Sequence, residues 1–260
     1  MTTPKDCNTR HPTHLNRRAV DRPTALTTDR VWRTERPRQS RADRDQSCGD
    51  LGIPSDLQVA GSRECLARLL SRPRVAIVGS RHGTYYGRDV AARLSRDLAG
   101  AGITVMAGLT EGIEASSHHA VLAIGGRPLA VVPGPPDIPY PTGQKHLHAQ
   151  IVRRGCVVSG TSPKQTQSRD PLLERNRLIV KLAHIVILVE ATAGAAAGVT
   201  AEMALELGRE VGAVPGRIVD EGAQGPNRLI RDGATPILDA DDVLCLLAPL
   251  TSRQPSNRTA

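Results

Sequence analysis

The chain has 260 residues, enough for one large domain or two small ones. Hydrophobic residues make up 39% of it and aromatics only 2%, with no Phe, so the core must be packed with aliphatic side chains. A formal net charge of +8 suggests a polyanionic partner, and the absence of any run of about 18 apolar residues argues against a membrane-spanning helix.

Residues 1–50 are rich in Arg, Thr, Asp and Pro and show no apolar periodicity, so they are expected to form a disordered basic arm. Up to Arg74 the chain holds 15 Lys and Arg against 9 Asp and Glu, which places most of the excess charge ahead of the patterned region. From there, strand-like and helix-like segments alternate. Apolar runs predict strands at Val75–Val78, Ile103–Ala107, Leu129–Val132, Cys156–Ser159, Ile185–Val189 and Val211–Val214. Helices are expected over Tyr86–Ala99, Ala115–Ile124, Gln144–Arg154, Arg175–Leu182, Thr200–Leu207 and Asp239–Leu247, the last with Asp239 as its N-cap. Strands apolar on both faces and separated by helices imply an α/β fold with a doubly wound, mostly parallel sheet. The expected boundaries are one domain over residues 51–248 and a loose tail over 249–260. Five scattered cysteines without a C-x-x-C pair, and no apolar leader, read as reduced thiols in a cytoplasmic protein.

In such a sheet, ligands bind beyond the carboxyl ends of the strands. The residues that follow successive strands here are Gly79-Ser80-Arg81, "AGLTEGIEASSHH" (107–119), "PGPPDIPYP" (133–141), Glu190-Ala191-Thr192 and Pro215-Gly216-Arg217. Glycine turns, small hydroxyls and free N–H groups therefore collect on one rim, which suits a phosphate-bearing ligand. Neither the dinucleotide fingerprint nor the P-loop pattern is present. Two further polar clusters are "ERNRLIVK" (174–181) and "GPNRLIRDGA" (225–234).

The segments "RPRVAIVGSR", "AGLTEGIEASSHHAVLAIGGRPLAVV", "YPTGQKHL", "RNRLI", "VILVEAT", "ALELGREVGAVPG" and "GPNRLIRDGA" resemble, in order and spacing, the DNA-processing protein A family (DprA, also called Smf). The resemblance runs from Leu57 to Leu247. It implies an extended Rossmann-like domain that binds single-stranded DNA, loads a RecA-type recombinase onto it, dimerises, and needs no nucleotide cofactor or metal. Carried over residue by residue, it puts DNA contacts at Gly79, Ser80, Arg81, Lys145, Arg175, Asn176 and Arg177. Gly108, Gly112, His118, Pro215, Gly216 and Asn227 would shape the rim. The chain departs from the family pattern at Glu111, where Arg is usual, at Glu114, where Asp is usual, at Ser159-Gly160, where Ser-Glu is usual, and at Ala195-Ala196-Ala197, where a Ser-Gly-Ser run is usual.

A rival reading is an enzyme. "AAAGVTAEMA" places Glu202 four residues after Gly198, the offset found in nucleotide phosphoribohydrolases of the LOG type, although their Pro-Gly-Gly is missing. The alternative for Glu202 is a first-turn acid facing the helix dipole. Serine hydrolysis through Ser116, Ser117, His118 and His119 lacks the nucleophile elbow, and His118, His119, His146 and His148 lack a metal-ligand spacing. Only Tyr85, Tyr86 and Tyr140 could offer stacking surfaces, so affinity for DNA should be largely electrostatic.

Overall fold

The computed structural model describes residues 31–33, 57–160 and 170–252. Among these, nine strands form one sheet: β1 (Val31–Arg33), β2 (Gln58–Gly61), β3 (Arg74–Val78), β4 (Thr104–Ala107), β5 (Leu129–Val131), β6 (Cys156–Ser159), β7 (Ile185–Leu188), β8 (Glu210–Ala213) and β9 (Thr235–Pro236). Their order is β1-β2-β6-β5-β4-β3-β7-β8-β9. All neighbours are parallel except β1 with β2 and β2 with β6. The six expected strands are all present. β1, β2 and β9 are additions at the two edges of the sheet.

The helices are α1 (Arg63–Leu70), α2 (Tyr85–Gly100), α3 (Ile113–Ala123), α4 (Lys145–Arg154), α5 (Pro171–Leu182), α6 (Ala196–Glu206), α7 (Gln224–Arg231) and α8 (Ala240–Ser252). Successive strand residues point to opposite layers. Val75 and Ile77 of β3 pack with Leu94 and Leu98 of α2, Val121 of α3 and Val243 of α8. Ala76 and Val78 pack with Leu66 of α1, Ile179 of α5, Ala201 of α6 and Leu229 of α7. A third cluster seats Leu147 and Ile151 of α4 against Ala130 and Val157. The core is aliphatic, as the composition requires.

Local signals set the helix ends. Ser62 caps α1 and Thr84 caps α2 through their side-chain oxygens. Asp170 accepts from the amides of Leu172 and Leu173, and Pro171 occupies the first position of α5. Asp239 accepts from the amides of Asp241 and Asp242 as expected, and Asp242 returns the bond to the amides of Leu238 and Asp239. The expectation for residues 1–50 lies outside the described residues apart from the three of β1. That for the tail lies outside them beyond Ser252, where α8 ends. Among the described residues no helix is long and apolar enough to cross a membrane.

Candidate functional site

The chain leaves β3, builds β4, β5 and β6 on one side, and then returns to place β7 on the other side of β3. This reversal makes the carboxyl ends of β3 and β7 the switch point of the sheet, the position at which ligands bind in open α/β sheets. Gly79-Ser80-Arg81 and Glu190 sit there. The Ser80 amide donates to the Glu190 carbonyl at 2.7 Å, and the Ile113 amide donates to the Ser80 carbonyl at 3.2 Å. The turn after β3 is therefore held between β7 and the start of α3.

Gly112 closes this junction. Its φ is +75°, and a Cβ there would overlap the carbonyl oxygens of Ser80 and Arg81. Only glycine combines that backbone with that proximity. The neighbouring Glu111 extends toward the 142–144 turn, where a Cβ on Gly143 would lie 3.2 Å from its Oε1. Arg81, Glu111 and Lys145 are all exposed, Arg81 and Glu111 on loops after β3 and β4 and Lys145 at the start of α4. Neither Arg81 nor Lys145 forms an ion pair among the described residues. Arg177 is also exposed, and its Nη1 bonds Glu174 at 2.5 Å.

Beneath the surface lies a polar network. Arg175 Nη1 donates to Glu114 Oε1 at 2.8 Å, with 8% and 5% of the two side chains exposed. Glu114 Oε2 accepts from the amide and hydroxyl of Thr110 at 2.9 and 2.6 Å. Burial alone would push the Glu114 carboxyl up. The Arg175 charge and the Thr110 bonds outweigh it and hold the group below the usual range. Gly108 makes room for this pair, since a Cβ on it would overlap Arg175 Nη1. His118, one helical turn beyond Glu114, is fully buried with its Nε2 2.7 Å from the Gly108 carbonyl. Burial pulls its pKa down to about 4, so the ring is neutral and Nε2–H donates. Arg175 Nε is buried and has no hydrogen-bond partner among the described residues.

The structure thus separates the sequence-derived candidates into two sets. Gly79, Ser80, Arg81 and Gly112 meet at the switch point, Lys145 is exposed at the start of α4, and Arg177 is exposed on α5. His118, Arg175 and Asn176, expected at the surface of the rim, are buried beneath it, because the Glu114 carboxylate draws Arg175 inward. Pro215, Gly216 and Asn227 lie at the β8 end. There Asn227 clamps the Gly216 peptide, accepting from its amide at 3.1 Å and donating to its carbonyl at 2.9 Å. The Tyr86 hydroxyl donates to the Pro215 carbonyl at 3.3 Å and ties this loop to α2.

Sequence reasoning placed Glu190 and Tyr85 but missed what Glu190 binds and the apolar loop after β8. Glu190 accepts from the Thr84 amide at 2.8 Å and from the Thr84 hydroxyl at 2.6 Å, so a carboxylate from the loop after β7 rests on the N-terminus of α2. Ile218, 91% exposed, and Val219 stand out from the loop after β8, and Tyr85 on α2 is 88% exposed and stacks with Arg88. Tyr140 is exposed as well, so none of the three tyrosines is packed away. Glu202 needs a correction. Helix α6 begins at Ala196 rather than Thr200, which puts this exposed acid in the second turn and not the first. Among the described residues, no three His, Cys, Asp or Glu gather as metal ligands would.

A mostly parallel, doubly wound sheet with a glycine turn and the exposed Arg81 at its switch point is the frame of a Rossmann-like domain. The chain belongs to the DNA recombination-mediator protein A family, whose sequence model matches residues 53–248. The putative DNA processing protein DprA of Mycobacterium tuberculosis is 38% identical over 173 residues, 66% of this chain and 44% of that protein. DNA processing protein DprA of Bacillus subtilis is 35% identical over 176 residues, 67% of this chain and 59% of the relative. This chain therefore spans about half the length of those relatives. Among solved structures, the DprA of Streptococcus pneumoniae superposes with a TM-score of 0.67 at 33% identity, covering 74% of this chain and 66% of that one. The DprA of Helicobacter pylori, described for its single-stranded DNA binding mode, gives a TM-score of 0.63 at 25% identity, covering 75% and 87%.

Proposed function

We propose that this protein is a single-stranded DNA-binding recombination mediator that places a RecA-type recombinase on the strand, acting as a homodimer in the cytoplasm without a nucleotide cofactor. The observation that carries this reading is the turn after β3 seated at the switch point with Arg81 exposed on it, and Lys145 exposed at the start of α4, neither in an ion pair among the described residues. Two exposed cations attract phosphates of the strand, while Arg177 adds a third contact once it releases Glu174. Gly79, Ser80 and Gly112 let the backbone approach the strand. His118, Arg175 and Asn176 act from below by fixing the loops, and Pro215, Gly216 and Asn227 hold the far wall. The exposed Tyr85, Ile218 and Val219 offer apolar surface to bases at that wall. Family membership and the DNA-binding relative from Helicobacter pylori support the same reading.

The test is a titration of fluorescent oligo-dT at two salt concentrations, in parallel with nucleoside monophosphates and an assay for release of free base. Strand binding that weakens with salt, without base release, is the expected result. Base release that depends on Glu202 would replace this reading with the phosphoribohydrolase one.

A further inference from the structure

At the opposite end of the sheet, below the amino ends of β5 and β6, lies a cavity of about 800 Å³. Arg68, Arg127, Arg153 and Arg154 line it, with Glu64 as the acid among them and Cys65 in the wall. Cys65 stands in the first turn of α1. Cys156 opens β6 in register with Gly61, the residue that ends β2 just ahead of α1. This register brings the two thiols into one corner between the end of β2, the first turn of α1 and the start of β6. Each is also fixed from outside: Cys65 Sγ donates to the Arg154 carbonyl at 3.8 Å and Cys156 Sγ to the Ser62 carbonyl at 3.6 Å.

We propose that Cys65 and Cys156 form a peroxide-responsive thiol pair, with Cys65 as the attacking sulfur and Cys156 as the resolving one. The cavity is lined by Cys65 and not by Cys156, so it gives access to one sulfur only. The neighbouring Cys156 thiol lowers the Cys65 pKa most; burial opposes it, and the charges of Arg127 and Arg68 add to the lowering. Cys156, wholly buried beside Cys65, is pushed up and keeps its proton, although Arg127 acts on it in the opposite sense. The ionisable groups around the Cys65 sulfur are Glu64 and Arg68 on α1, Arg127 ahead of β5, Arg153 and Arg154 at the end of α4, and Cys156 on β6.

The chemistry balances. The Cys65 thiolate attacks one oxygen of hydrogen peroxide, the O–O bond breaks, and the departing hydroxide takes up a proton, leaving a sulfenic acid. The Cys156 sulfur then attacks Cys65, the S–O bond breaks, and the Cys156 proton leaves with the hydroxide as water. Two thiols lose two electrons and one peroxide becomes two waters. The new bond fastens α1 to β6.

The experiment is peptide mapping of the full chain after limited peroxide, digested with trypsin without reductant. The expected product is residues 64–68 joined to residues 155–164, two hydrogens lighter than the separate peptides, within monomeric protein and reversible by dithiothreitol. It should appear before the exposed Cys245 is oxidised. In Cys156→Ser, dimedone should instead trap a sulfenic acid on Cys65. Arg127→Gln, a change at an exposed residue, should slow cross-linking. Oxidation of Cys245 with no joined peptide in the wild type would overturn the proposal, whether or not the serine variant folds. A rate unchanged in Arg127→Gln would remove the cavity charge from it.

Discussion

Arg175→Met tests whether this arginine supports the rim from below or touches the strand itself. In the folded chain its guanidinium meets Glu114 at 2.8 Å, and both side chains are more than nine-tenths buried. Removing one partner of such a pair leaves a charge in low dielectric and costs about 3–5 kcal/mol. Glu114 would keep its two bonds from Thr110, which places the loss near the lower end, about 3 kcal/mol. At about 2–4 °C per kcal/mol for a domain of this size, the melting temperature should fall by roughly 6–12 °C. Adding Glu114→Gln removes the stranded charge yet keeps an acceptor for Thr110, so the double variant should recover about half or more of the loss. The deficit of Arg175→Met should also shrink in acid, because the lone carboxyl then takes a proton. Circular-dichroism melts of the wild type, both singles and the double give the stabilities, and oligo-dT anisotropy gives binding. A single variant as stable as the wild type would refute the buried-pair argument. A double variant that is stable but binds DNA as poorly as Arg81→Glu would put Arg175 in contact with the strand.

Arg81→Glu should abolish most oligo-dT binding at an unchanged melting temperature, and unchanged affinity would take the switch-point turn out of the interface. Arg177→Ala should weaken binding and lower the salt slope by about 1, as loss of one phosphate contact requires. Gly112→Ala must hold an L side chain at φ +75° against two carbonyl oxygens, so it should lose more than the roughly 1–2 kcal/mol that this backbone region alone costs; a smaller drop in urea unfolding would contradict the close approach. Burial lowers the pKa of both His118 and His184 to about 4 in the folded chain, so the unfolded chain binds more protons between there and about 6.5, the ordinary histidine value. Unfolding free energy should therefore fall as pH drops through that window, and an unchanged value between pH 7 and 4.5 would refute the buried neutral rings.

The six central strands were legible because each is a short apolar run buried on both faces, which leaves little room for another reading. β2 escaped because Gln58-Val59-Ala60-Gly61 has only one β-branched residue and needs its antiparallel partner β6 to become a strand. α7 was missed because Gly225 and Pro226 are poor helix formers, although proline is tolerated in a first helical turn. At the site, the glycine turns and Arg81 could be read from the order of elements alone. Which polar residues turn inward could not. Glu114 and His118 are four apart on one helix face, a signal within the sequence, but Arg175 joins them only across 61 residues of chain. Asn227 likewise finds Gly216 only after α7 has formed and packed.

The first turn of α2 has a further meaning. A helix N-terminus beside a switch point is the seat where Rossmann-like domains hold the phosphate of a nucleotide. Here the seat is filled from within, by the Glu190 carboxylate on the amide and hydroxyl of Thr84. A mononucleotide arriving there would have to evict an anion covalently fixed to the adjacent strand. The fold thus has the cradle but points it at its own carboxylate, which leaves anions from solution to the loops around it. Polymers that lay several phosphates along those loops at once gain from this arrangement, whereas single nucleotides gain little.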